Sequence, residues 1–213
     1  MLFLWIALIS MSALAALNIF LSTGFFAVLP VSPGAAVVWS FLAVAFAVAV
    51  DALVALFIRR ATPSKWYSHK YAIYRVSAKE KKFYEKLKIR KWKDKMPEWG
   101  KLTGFSKNQI ARPRDNEYLD KYFLELCYGE VIHFLSVPAS LFVFWFVPSA
   151  MSLSLALPVT IVNILCNLPS LFILRYNSYK LEVLYKNNEK RRAAREFSSA
   201  VCPDAAECAC SAD

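Results

Sequence analysis

Apolar positions along the chain gather into four long blocks separated by polar stretches. Residues 1–22 carry no charged side chain and match the length a helix needs to cross a hydrocarbon core of roughly 30 Å. The opening MLFLWIALIS has no Lys or Arg, so it lacks the basic region of a cleavable signal peptide and reads as a retained helix. A second block covers residues 35–58, broken only by Asp51, and ends at Arg59 and Arg60. The third covers residues 131–147 and the fourth residues 152–174. This pattern predicts an all-α integral membrane protein with about four transmembrane helices in two hairpins.

The polar stretches have patterns of their own. In SAKEKKFYEKLKIRKWKDKMPEWG the spacing predicts one helix capped by Ser77, with Glu80 at the capping-box position and a stop at Pro97. Phe83, Leu87, Trp92 and Met96 recur at roughly helical spacing among lysines, the pattern of a basic amphipathic helix lying in the headgroup region. Residues 100–116, with Gly104 and Pro113, read as a connecting loop. Helical periodicity resumes from Glu117 through Tyr118, Leu119, Tyr122, Phe123 and Leu126, and runs into the third span. After the fourth span, Leu181, Leu184 and Tyr185 mark the apolar side of another surface helix. The chain thus divides into an N-terminal transmembrane hairpin (1–58), a basic insert containing amphipathic helices (59–130), a second transmembrane hairpin with the candidate active site (131–174), a basic helix (175–196) and a disordered tail (197–213).

Charge orients this arrangement. The chain has 26 Lys and Arg against 16 Asp and Glu, and residues 59–130 alone hold 19 against 9. The loops at 23–34 and 148–151 carry no charge. The positive-inside bias therefore places the insert and both termini of this multi-pass cell-membrane protein in the cytoplasm. In that setting the basic surface predicts contact with anionic lipids, worth about 1 kcal/mol per Lys or Arg near the surface, and not a nucleic-acid partner. Cys127 and Cys166 are separated and read as packing residues. The tail cysteines Cys202, Cys208 and Cys210 do not have a recognised zinc spacing. The sequence shows no internal repeat, Gly-rich phosphate loop or metal-ligand cluster, so neither a metal nor a bound cofactor is predicted.

Candidate chemistry sits where the insert meets the third span. Glu130 and His133 are three residues apart, about 60° around a helix, so both project to one face. A carboxylate at that spacing can fix the imidazole tautomer and raise its basicity, which suits a general base acting on a hydroxyl. Ionisable groups at a membrane boundary are costly and by default mark function. The fourth span adds NILCNLPSLFILRYNSYKL, with buried amides at Asn163 and Asn167, an interruption at Pro169, and Arg175, Tyr176 and Asn177 returning to the surface. An antiparallel hairpin would let Glu130, His133, Asn167 and Arg175 line one cleft. The alternatives are an interhelical hydrogen bond for Asn167 and a snorkelling anchor for Arg175. Asp51 reads as a folding residue and His69 as an interfacial one. Arg90 and Trp92, in RKWKDK, are candidates for holding a phosphate or an anionic headgroup.

Three blocks in order, FYEKLKIRKWKDKMPE, ELCYGEVIHFLSVPASLF and NLPSLFILRYNSYKL, resemble the glycosyl-4,4′-diaponeurosporenoate acyltransferases, small bacterial membrane proteins that attach a fatty acyl chain to a glycosylated carotenoid acid. The resemblance extends over roughly residues 63–192. Its specific part is Glu125, Glu130, His133, Asn167, Pro169, Arg175, Tyr176 and Asn177. It implies O-acylation of a sugar hydroxyl on a membrane lipid or glycolipid, with acyl-CoA or an acyl-carrier protein as thioester donor. His133 and Glu130 would be catalytic; Asn167, Arg175, Tyr176, Asn177 and Glu125 would contact substrate. The chain departs from the family pattern at Ser178 and Lys180, where Arg is common. Competing readings are an acyl-enzyme through Cys127, a non-catalytic lipid-binding or scaffolding protein, and another small lipid-modifying transferase.

Overall fold

The computed structural model describes residues 2–23, 30–95 and 110–201, and every regular element among them is helical. Pro97, Met96, Gly104 and the tail cysteines lie outside the described residues, as does the expected disordered tail (197–213) from residue 202 onward; residues 197–201 instead continue the last helix.

Helix α1 (Leu2–Ser22) packs against α2 (Pro33–Ala61). Ser32 caps α2 by accepting a hydrogen bond from the Ala35 backbone, and Pro33 supplies a preset φ at its start. Arg59 and Arg60 fall in its last turn, where cations complement the helix dipole. The insert then runs through two short 3-10 turns, Ser64–Trp66 and Ala72–Tyr74, into α3 (Ala78–Lys86) and α4 (Ile89–Trp92). Ser77 caps α3 as its spacing predicts, accepting from the Glu80 backbone at 3.1 Å.

The single helix expected from Ser77 to Pro97 is broken. Lys88 adopts the left-handed conformation (φ 53°), a position that costs a side-chain-bearing residue about 1–2 kcal/mol and turns the chain between α3 and α4. The turn exchanges the expected apolar stripe: Tyr84 and Ile89 are buried against Ile173 and Tyr176, while Phe83 and Leu87 are exposed.

Helix α5 (Asn116–Ala139), capped by Asp115, is continuous from the insert into the third apolar block. Pro138 closes it, and a 3-10 turn leads to the short α6 (Val143–Phe146). A π-helical stretch, Ser152–Ala156, opens α7 (Leu157–Val201), whose 45 residues extend about 67 Å at 1.5 Å per residue. The fourth span and the basic surface helix are therefore one rod. Pro169 lies inside it without ending it.

Three helical stretches among the described residues are long and apolar enough to cross a membrane: Pro33–Ala61, Asn116–Phe146 and Ser149–Ser198. Leu8–Ser22 adds a shorter apolar helix. Their outer faces carry Trp145, Leu153, Leu165 and Phe134, all more than 60 % exposed, a distribution suited to lipid rather than water. Inside, Leu14, Ala43, Val44, Ala47, Val143 and Met151 form one core at the α1–α2–α6 end. Leu119, Phe123, Leu126 and Leu181 form another where α5 meets the far half of α7.

Candidate active site

The α5–α7 seam organises the site. Gly129 permits close approach, since a Cβ there would lie 2.8 Å from Leu174 Cδ1. On either side of this contact the seam holds a polar cluster. Asn167 and Arg175, which belong to different clusters, are eight residues apart on α7, about 12 Å along its axis.

The deeper cluster joins α5, α7 and α2. His133 Nδ1 lies 2.7 Å from Asn167 Oδ1. Asn167 Nδ2 donates to the Asn163 backbone carbonyl at 3.1 Å, to Asn163 Oδ1, and at 3.4 Å to Asp51 Oδ2. Asn163 Nδ2 donates to the same Asp51 oxygen at 3.1 Å. Asn163 and Asn167 are buried, and their amides face one another because they occupy successive turns of α7.

The shallower cluster is charged and reaches into the insert. Arg175 Nε and Nη2 donate to the two Glu80 oxygens at 2.8 and 2.9 Å, and Nη1 donates to Glu130 Oε2 at 3.1 Å. The same guanidinium donates to the carbonyls of Ile73 at 2.8 Å and Arg75 at 3.4 Å. All five of its N–H groups are thus engaged. The other Glu130 oxygen accepts from Ser178 Oγ at 2.6 Å. Burial opposes ionisation of Glu80, but hydrogen bonds from Arg175, Tyr84 and the Ser77 backbone, with the Arg175 charge, outweigh it and hold its pKa below the ordinary 4.5.

Of the residues singled out in the sequence, the structure brings His133 to Asn167 and Glu130 to Arg175. The buried Glu130 carboxylate faces Arg175 and Ser178, while the His133 Nδ1 position is taken by Asn167. Glu125 lies apart in a two-armed ion pair with Arg59 at 2.7 and 3.3 Å. Tyr176 is buried between α7 and the insert, beneath the Lys180 ammonium 4.5 Å from its ring. Asn177 is buried, with its Nδ2 lacking a hydrogen-bond partner among the described residues. Arg90 is exposed on α4, and Trp92 packs toward Tyr176 while its Nε1 donates to the Leu87 carbonyl. Cys127 is only 1 % exposed, packed with Ile58, Tyr67 and Tyr128, a poor setting for a nucleophile. His69 stacks on Phe123 near Asp120; burial moves its pKa below 6.5 against the opposing Asp120 charge.

Four participants were not assigned to the site from sequence, one of them Asn163, read there only as a buried amide. Glu80 announces itself only as a capping residue, and Ser178 as a departure from a family pattern. Asp51 carries a stronger signal, an acid inside an apolar block, but its partners are over a hundred residues away.

Fold and site together define an all-helical membrane protein with a half-buried imidazole paired to a buried amide on the α5–α7 seam. The family described as glycosyl-4,4′-diaponeurosporenoate acyltransferase matches residues 63–187, more than half of the chain, and the protein belongs to that family. It is accordingly an acyltransferase of carotenoid glycoside biosynthesis. Neither the curated proteins nor the solved structures give a match. Helices α1 and α2, with Asp51 and Arg59, lie outside the matched segment.

Proposed function

We propose that this protein transfers a fatty acyl group from an acyl-CoA or acyl-carrier thioester to a sugar hydroxyl of a glycosylated lipid, a glycosyl carotenoid being the fitting acceptor. The observation that carries the proposal is the 2.7 Å contact between His133 Nδ1 and Asn167 Oδ1. With Nδ1–H donated to the amide oxygen, Nε2 holds the lone pair of the neutral imidazole. Nε2 takes the proton of the acceptor hydroxyl as its oxygen attacks the thioester carbonyl. The C–O bond forms, the C–S bond breaks, and the imidazolium returns the proton to the departing thiolate. General-base assistance of this kind contributes roughly 10²- to 10⁴-fold.

Glu130 and Arg175 take a supporting role in this reading. Arg175 fastens the insert to the seam through Glu80, Ile73 and Arg75, and Glu130 with Ser178 completes the fastening from α5 and α7. Both termini and the insert face the cytoplasm, with α1 as a fourth membrane helix. The site then lies at the cytoplasmic boundary, where a soluble thioester meets a leaflet-bound sugar.

Purified protein in liposomes, given a glycosylated carotenoid acid and either a fatty acyl-CoA or an acyl-carrier thioester, should yield acceptor heavier by one acyl chain on mass spectrometry. Salt-sensitive liposome binding without acyl transfer from either donor would instead identify a lipid-binding scaffold.

A further inference from the structure

Asp51 is an acidic side chain in the middle of an apolar helix, on an element outside the family-matched segment, and it sits two hydrogen bonds from His133. Its Oδ2 accepts from both Asn163 Nδ2 at 3.1 Å and Asn167 Nδ2 at 3.4 Å. That double acceptance determines which way the two amides point. With each Nδ2 turned toward Asp51, Asn163 Oδ1 is left to accept from Asn167, and Asn167 Oδ1 is left to face the imidazole. An amide oxygen only accepts, so the ring nitrogen opposite must carry its proton. The reactive lone pair is thereby placed on Nε2.

We infer that Asp51 is a positioning residue for His133, setting the tautomer of the imidazole through the Asn163 and Asn167 amides. This rests on the acyl-transfer reading of His133. It also means that α2 supplies part of the working site.

A purely adhesive role explains Asp51 less well. Joining α2 to α7 needs a hydrogen bond to one amide, whereas Asp51 Oδ2 gathers both and thereby leaves the Asn167 oxygen turned to His133. Asp51 Oδ1 is moreover buried with no hydrogen-bond partner among the described residues, a cost that adhesion alone does not offset.

The test is nitrogen-15 NMR of the imidazole in the full chain, solubilised in detergent with ring-labelled histidine. A His69→Gln background leaves His133 as the single histidine signal. The neutral wild-type ring should carry its proton on Nδ1. Asp51→Leu, close in volume and compatible with lipid, should give a mixture of both tautomers and lower kcat about 10- to 100-fold, the usual effect of removing an outer partner of a working histidine, with KM unchanged. Asp51→Asn, which retains an acceptor oxygen, should restore the Nδ1–H tautomer and most of the turnover. A folded Asp51→Leu protein with an unaltered tautomer and wild-type kcat would overturn the inference. Should that variant fail to fold, Asp51→Asn decides: loss of the Nδ1–H tautomer in it would contradict the acceptor argument. The tautomer is read without any acyl substrate, so failure of the acyl-transfer reading and failure of the Asp51 inference are separate results.

Discussion

The two polar clusters on the α5–α7 seam differ in the charge they gather. The shallower one binds a cation with two carboxylates and two carbonyls, engaging every donor of Arg175. The deeper one strings neutral amides between Asp51 and His133, ending on the imidazole at its Nδ1. A closed ion network resists motion and loses stability when one member is removed; a chain of amides ending on an imidazole fixes the orientation of groups without gathering charge around them. Glu130 and His133, three apart in sequence, therefore sit in different clusters.

The largest stability effect should come from the shallower cluster. Arg175→Met leaves the buried Glu130 carboxylate without its cation, and breaking a buried pair in this way costs about 3–5 kcal/mol. Thermal unfolding in detergent should show the drop, together with faster proteolysis between residues 62 and 77 as the insert loosens. An unchanged midpoint would remove the fastening role.

Acid should give a partial version of the same loss. Because the folded-state pKa of Glu80 lies below 4.5, its contribution is fully present above pH 4.5 and is lost as pH falls through the lower folded value. Insert proteolysis measured against pH should accelerate only in that acid range, and Glu80→Gln should flatten the profile.

A smaller effect is expected where the helices touch between the clusters. Gly129→Ala brings a methyl group against Leu174 Cδ1, the end of a flexible side chain, so the cost should be about 1 kcal/mol, at the mild end for overpacking. Turnover should fall with it if the spacing of the seam sets the His133 to Asn167 contact. A change in stability with turnover intact would separate the two.

Much of the scaffold was legible because it rests on local chemistry. An apolar block broken only by Asp51 marks α2, Ser77 and its spacing to Glu80 mark the start of α3, and the periodicity from Glu117 marks the run of α5 into the third block. Other features were not local. Lysine gives no warning of a left-handed turn at Lys88. Pro169 reads as a breaker, yet it removes a single backbone donor, which a membrane helix packed among neighbours can tolerate.

The site shows the same division. Spacing located Glu130 and His133 at a membrane threshold, the fourth apolar block offered Asn167 and Arg175 as partners in one cleft, and the resemblance pointed to the same residues. How these residues pair depends on helices brought together from far apart in the chain: Asp51 reaches Asn163 across 112 positions, and Arg175 reaches Glu80 across 95. No spacing rule within one segment expresses such contacts. The acid in an apolar block was the visible part of the signal, and its partners became visible only in the fold.

If proton transfer belongs to the deeper cluster and fastening to the shallower one, single substitutions separate the two. The most direct measurement compares acyl-transfer turnover per folded molecule in His133→Gln and Glu80→Gln, purified in the same lipid. His133→Gln should fall by roughly 10²- to 10⁴-fold, while Glu80→Gln stays within a few-fold of wild type. A His133→Gln enzyme that turns over normally, or a Glu80→Gln enzyme that loses as much, would contradict that division.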